Sequence, residues 1–117
     1  MRGLFLALGL TLAQATPALA EFATVTDRDT FIRLVNGKVL TRPLVKLRVA
    51  PDGSIAGKGA GWDVNGAWTW KNGYFCRDLI WGGDDLGYNC QRVLANGNQI
   101  RFVADQGQGD SADFRLR

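Results

Sequence analysis

From Val45 onward the chain alternates between apolar and polar positions. Val45, Leu47 and Val49 are separated by Lys46 and Arg48, and strand-like runs recur at Ser54–Gly59, Trp62–Trp70, Tyr74–Trp81, Tyr88–Leu94, Gln99–Ala104 and Ala112–Arg117. Successive side chains of a strand point to opposite faces, so runs of this kind offer one apolar face each. Turn formers stand between them: Pro51-Asp52-Gly53, Asn72-Gly73, Gly82–Gly87, Asn96-Gly97 and a Gly-rich stretch before Ala112. Asn-Gly between such runs is a strong hairpin signal, because both residues accept positive φ. Thr26–Val35 has helical spacing instead. Phe31, Leu34 and Val35 share a face, Thr26 can cap the start, Asp27 and Asp29 suit the first turn, and Asn36-Gly37 ends it. The pattern predicts an all-β domain of seven to eight antiparallel strands. They form an up-and-down barrel or curled sheet, with the short N-terminal helix plugging one end.

The hairpin signals also set a register. Around Asn72-Gly73, Trp70 lies opposite Phe75 and Trp68 opposite Arg77; around Asn96-Gly97, Val93 lies opposite Ile100 and Gln91 opposite Phe102. A cross-strand pair Cys76–Cys90 sets Arg77 against Asn89 and Phe75 against Gln91. All three constraints agree in parity. The inward face then collects Trp62, Val64, Trp68, Trp70, Phe75, Leu79, Trp81, Val93, Ile100, Phe102, Phe114 and Leu116, together with three polar residues, Arg77, Asn89 and Gln91. The cysteines fall on the opposite, solvent-directed face. Gly57, Gly59 and Gly61 leave room for indole rings over bare backbone.

Residues 1–20 lie outside this pattern. MRGLFLALGLTLAQATPALA has one Arg, a short apolar run, Pro17 and an Ala18-Leu19-Ala20 end, the layout of a secretory signal cleaved after Ala20. The run is too short to span a bilayer. The expectation is a periplasmic or secreted single domain over residues 21–117, where an isolated Cys76/Cys90 pair forms a disulfide. Removing Arg2 leaves 13 basic against 11 acidic groups, too even a balance to imply nucleic acid. Arg92, Arg101 and Arg115 form a row on the outer face; diluted by Asp113 and Asp105 it reads first as solvated surface, and otherwise as a surface for an acidic partner.

The chemistry is bounded by absences. With no histidine, Ser-His-Asp and Cys-His mechanisms and the usual zinc sites are excluded. Asp78, Asp84, Asp85, Asp105 and Asp110 cluster near turns but match no calcium-loop spacing, so no metal is predicted. The register gives no inward pair of carboxylates for glycoside hydrolysis. Gly57-Lys58-Gly59-Ala60-Gly61 is not a dinucleotide fingerprint, and no cofactor is predicted. What remains is an Arg, an Asn and a Gln inside an aromatic barrel. One reading is a hydrogen-bonded core network with Arg77 stacked on Trp68. The other is a ligand site of Trp68, Trp70, Phe75, Arg77, Asn89 and Gln91, with Arg77 meeting an anionic or carbonyl group.

The run GAWTWKNGYFCR (Gly66–Arg77), the Asn89-Cys90-Gln91 element and the Gly107-x-Gly109-Asp110-Ser111 end resemble a family of small secreted alphaproteobacterial proteins. The resemblance covers most of residues 21–117 and implies export. Some members carry a dihydrodipicolinate reductase label. This chain does not support it, being short, exported and without a dinucleotide fingerprint. The architecture is also similar to small lipocalin-like barrels, including bacterial protease inhibitors. The sequence thus points to a binding protein rather than an enzyme. The leading expectation is a small-ligand module. The alternative is a protein-interaction module acting through loops, the N-terminus of the exported chain or the basic outer face.

Overall fold

The structure, a computed structural model, describes residues 21–117; the expected signal sequence lies outside the described residues. Chain order is β1 (Ala23–Val25), α1 (Arg28–Val35), β2 (Leu40–Arg42), β3 (Val45–Val49), β4 (Ser54–Gly59), β5 (Trp62–Lys71), β6 (Tyr74–Trp81), β7 (Asp84–Asn96), β8 (Gln99–Val103), α2 (Ala104–Gly107) and β9 (Ser111–Leu116). Strands β2 to β9 form a closed, eight-stranded antiparallel barrel. Each pairs with its chain neighbour, and β2 pairs with β9 to close the wall. The all-β, up-and-down barrel read from the sequence is therefore the observed fold.

Two strands escaped the pattern because each is only three residues long. β2 closes the barrel through two paired positions, Leu40–Leu116 and Thr41–Arg115. β1 lies outside the barrel on β7. The thirteen-residue β7 outruns its neighbours: β6 covers its edge over 84–91, and β1 takes over at Val93–Ala95.

An up-and-down barrel sends alternate turns to alternate ends. At the first end, Trp68 donates its indole N–H to Ala50 of the β3–β4 turn (2.9 Å), and Arg28 of α1 donates to Pro51 (3.0 Å). Here α1 plugs the barrel. Phe31 is fully buried, its ring centroid 5.1–5.2 Å from those of Trp68, Trp70 and Phe75. Asp27, not Thr26, caps α1. Its carboxylate accepts from the Thr30 N–H (3.1 Å) and the Thr30 hydroxyl (2.9 Å), which holds its pKa below the ordinary value. The second end carries the Pro43-Leu44, Ala60-Gly61 and Gly82-Gly83 turns and the α2 connection.

The β5–β6 and β6–β7 registers follow the sequence reading, including Trp68–Arg77, Cys76–Cys90 and Arg77–Asn89. The β7–β8 hairpin differs. Val93 pairs with Phe102 and Ala95 with Ile100, a slip of two residues. The turn residues are Gly97-Asn98, because Gly97 takes the positive φ (59°) at the first turn position. A two-residue slip keeps parity, so the inward set survives. A bulge between Leu79 and Ile80 also interrupts β6–β7, near the second end. There Trp62 and Trp81 are 63% and 38% exposed rather than buried: they sit beyond the packed core, at the rim. The disulfide joins the outer face as expected, yet Cys76 is buried.

Glycine permits two tight strand crossings. A Cβ at Gly57 would sit 2.0 Å from the Lys46 carbonyl oxygen, and one at Gly66 2.2 Å from that of Asp78. Of the three alternating glycines, Gly59 is the one that faces an indole, that of Trp81.

Candidate functional site

Between the α1 plug and the second end lies a cavity of about 300 Å³. Its apolar wall includes Leu40, Leu47, Val49, Ile55, Leu79 and Phe114 from β2, β3, β4, β6 and β9, with Phe75 and Phe102 on the side of the plug. Polar groups reach it from one side: Arg77 and Gln91 from β6 and β7, Asp110 and Ser111 from the start of β9. The volume falls at the lower edge of small-molecule sites, and the composition, apolar with a few converging polar groups, matches them.

Three of the six sequence candidates, Phe75, Arg77 and Gln91, line this cavity. The other three do not. Trp68 and Trp70 pack on Phe31 at the plugged end, and the cation over the Trp68 ring is Arg28 of α1 (5.4 Å), not Arg77. Asn89 turns to α2. Its amide N–H₂ donates to the Asp105 carboxylate (2.7 Å), while its carbonyl accepts from the Asp105 backbone N–H (3.1 Å) and from Gln91 Nε2 (3.2 Å).

That contact has a structural cause. β8 ends at Val103, leaving β7 residues 84–91 without a strand on that edge, and α2 lies there instead. Asp105 and Gln106 both have φ of 55°, a left-handed conformation costing roughly 1 kcal/mol or more per residue outside glycine. Asn89 holds this strained turn in place, and Ala104 of the same turn lines the cavity. Replacing Asn89 by Ala removes its side-chain bonds to Asp105 and costs about 1–2 kcal/mol. Amides of 104–110 then exchange with solvent faster than those of β5, a contrast hydrogen–deuterium exchange reads directly.

Arg77 is the chemically distinctive group. It is half-buried, and burial pushes its pKa down while Asp78 partly offsets the shift. A guanidinium nonetheless stays charged at neutral pH. It has five N–H donors. Among the described residues one of them is engaged: Nη1 donates to the Gly87 carbonyl at 2.8 Å. No ion pair to Arg77 occurs among the described residues, although Asp110 lines the same cavity. The barrel thus holds a partly desolvated cation with spare donors above an apolar chamber, suited to an acceptor-bearing ligand.

The sequence placed much of the wall on the inward face but did not gather it into one site. Leu47 and Val49 were legible in the Val45–Val49 alternation, and Phe114 belonged to the inward set. Leu40 had no signal, because β2 is too short to alternate. Asp110 and Ser111 enter only because α2 folds back along β7.

The expected row of arginines stands on the outer face, with Asp113 pairing one of its members. Arg101 makes a two-pronged pair with Asp113 (2.6 and 2.9 Å) and lies 3.9 Å over the Phe22 ring, while Arg92 donates to Thr24 of β1. Arg92 and Arg115 remain exposed, and Arg115 shares the outer face with Asp113. Among the described residues, no three Cys, Asp or Glu side chains come together as a metal site. Comparisons with protein-family models, curated proteins and solved structures give no match.

Proposed function

We propose that this protein binds a small amphiphile: an apolar body in the barrel cavity and a carboxylate, or another anionic or carbonyl group, on Arg77. The observation that carries this reading is Arg77 itself, half-buried beside an apolar chamber with one protein acceptor. Retaining a partly desolvated guanidinium without an ion pair is costly unless it serves a partner. The signal-like residues 1–20 and the Cys76–Cys90 bridge support an exported location for this activity.

Decanoate and decanol separate the two halves of the reading, since they share a tail and differ in charge. Titration calorimetry gives tighter binding for decanoate. Arg77→Met retains the fold and lowers decanoate affinity by roughly 10- to 100-fold, the range of a charge-assisted hydrogen bond of about 1.5–3 kcal/mol, while decanol binding is unchanged. If the Met variant folds and holds decanoate as tightly as the wild type, Arg77 is a structural residue and the proposal is wrong.

A further inference from the structure

The large apolar side chains that stand exposed among the described residues are Leu44, Trp62, Ile80, Trp81, Leu86 and Tyr88. All six lie toward the second end of the barrel. Hydrogen bonds bind the turns there into one surface: Ala60 N–H to the Leu44 carbonyl (2.7 Å) and Gly82 N–H to the Asp63 carbonyl (2.8 Å). The Trp62 ring lies over Gly82, where an added Cβ would meet it at 3.2 Å. None of the six lines the cavity.

Leu44 is the least explicable of them on folding grounds. It occupies the second position of the two-residue Pro43-Leu44 turn with φ of 67°, where Gly or Asn is favoured, and it is 79% exposed. A leucine is therefore held in a strained conformation with its side chain in water.

Charge identifies what covers this surface. A groove begins at Arg42 and Pro43, beside Leu44, and runs up the outer wall past Lys46, Arg48, Lys58, Arg115 and Arg117. Its one lining acid, Asp113, is engaged by Arg101, and of the lining cations Lys58 is paired with Asp63, the neighbour of Trp62. Acidic residues Asp84 and Asp85 lie across the rim, on the β6–β7 hairpin. An apolar tip with tryptophan, bordered by cations on one side and acids on the other, fits an anionic lipid surface approached at a tilt. No helix among the described residues is long and apolar enough to cross a membrane; this mode needs none.

We infer that the protein docks on anionic bilayers through Leu44 and Trp62, with the Arg42–Lys46 side toward the lipid and the Asp84–Asp85 side tilted away. This inference is independent of the amphiphile reading, because the docking residues lie outside the cavity.

The test is sedimentation of the protein with vesicles of pure phosphatidylcholine and of equal parts phosphatidylcholine and phosphatidylglycerol. Partition is strong for the mixed vesicles, weak for the neutral ones, and falls with added salt. Leu44→Asn suits the turn, preserves the fold and lowers partition about tenfold or more. Lys46→Glu removes the preference for anionic lipid. Arg77→Met leaves partition unchanged, which keeps a failure here distinct from a failure of ligand binding. The inference is overturned by equal binding to both vesicle types or by no binding to either. It is also overturned if the wild type self-associates and Leu44→Asn restores the monomer, since the surface would then belong to a second copy.

Discussion

Replacing Phe31 by Ala lowers stability by about 3–5 kcal/mol, the range for deleting a buried aromatic ring. Phe31 is fully buried and stacks against four rings: Trp68, Trp70, Phe75 and Phe102. Those rings come from β5, β6 and β8, so one side chain of α1 ties three strands together. A cavity there has no small side chain to collapse into it. Domains of this size are stable by roughly 5–15 kcal/mol in total, so the variant loses a large share. The melting temperature falls by at least about 12 °C, at about 4 °C or more per kcal/mol for a domain of this length. Thermal denaturation followed by near-ultraviolet circular dichroism reads it, because the indoles report their own packing. Phe31→Leu, which keeps most of the volume, costs clearly less. A loss under about 1 kcal/mol for the Ala variant would mean that α1 is not the plug described above.

The barrel was legible because its core strands carry two independent kinds of signal. Alternation gives a face and Asn72-Gly73 gives a register; Cys76 and Cys90 then check it. These agree from Trp62 to Gln91, where the structure follows the sequence reading most closely. Residues whose position depends on a third element were not legible. Trp68 and Trp70 face inward as read, but whether an inward indole lines a cavity or a plug depends on where α1 docks. Asn89 has the inward parity of its strand, yet it bonds to α2, because β8 stops at Val103 and leaves that edge of β7 open. Trp62 and Trp81 also have inward parity, but sit where the barrel ends. Parity tells which face a side chain takes and says nothing of depth along the barrel axis. The arginine row lies on the outer face as read, but the N-terminal partners of two of its members were not legible. Three residues of β1, too few to show a period, bring the Thr24 hydroxyl to Arg92, and the ring of the adjoining Phe22 meets Arg101.

Opening the Cys76–Cys90 bridge costs about 3 kcal/mol in the chain-entropy account, given a closed loop of roughly 15 residues. The bridge encloses the β6–β7 hairpin, and within that loop lie Arg77, its acceptor Gly87 and Asn89, with Gln91 immediately outside. Leu79 of the wall lies within the loop as well and Phe75 adjoins it, while Leu40, Leu47, Val49, Ile55, Phe102 and Phe114 come from strands that the bridge does not touch. Loss of the bridge therefore acts unevenly. The bulged hairpin loosens first, because the break after Leu79 already weakens its pairing toward the second end. Arg77 loses its fixed carbonyl partner, while the wall of Leu40, Leu47, Val49 and Ile55 persists. Three results follow for wild type under reductant and for the Cys76→Ala/Cys90→Ala double variant alike: a lower melting temperature, faster exchange of β6–β7 amides than of β3–β4 amides, and weaker binding of decanoate than of decanol relative to the oxidised protein. The double variant is indifferent to reductant, which separates the bridge from any general effect of thiols. If reduction leaves the melting temperature within a degree or two and decanoate binding intact, strand pairing alone holds the hairpin. The bridge would then contribute nothing to the geometry around Arg77.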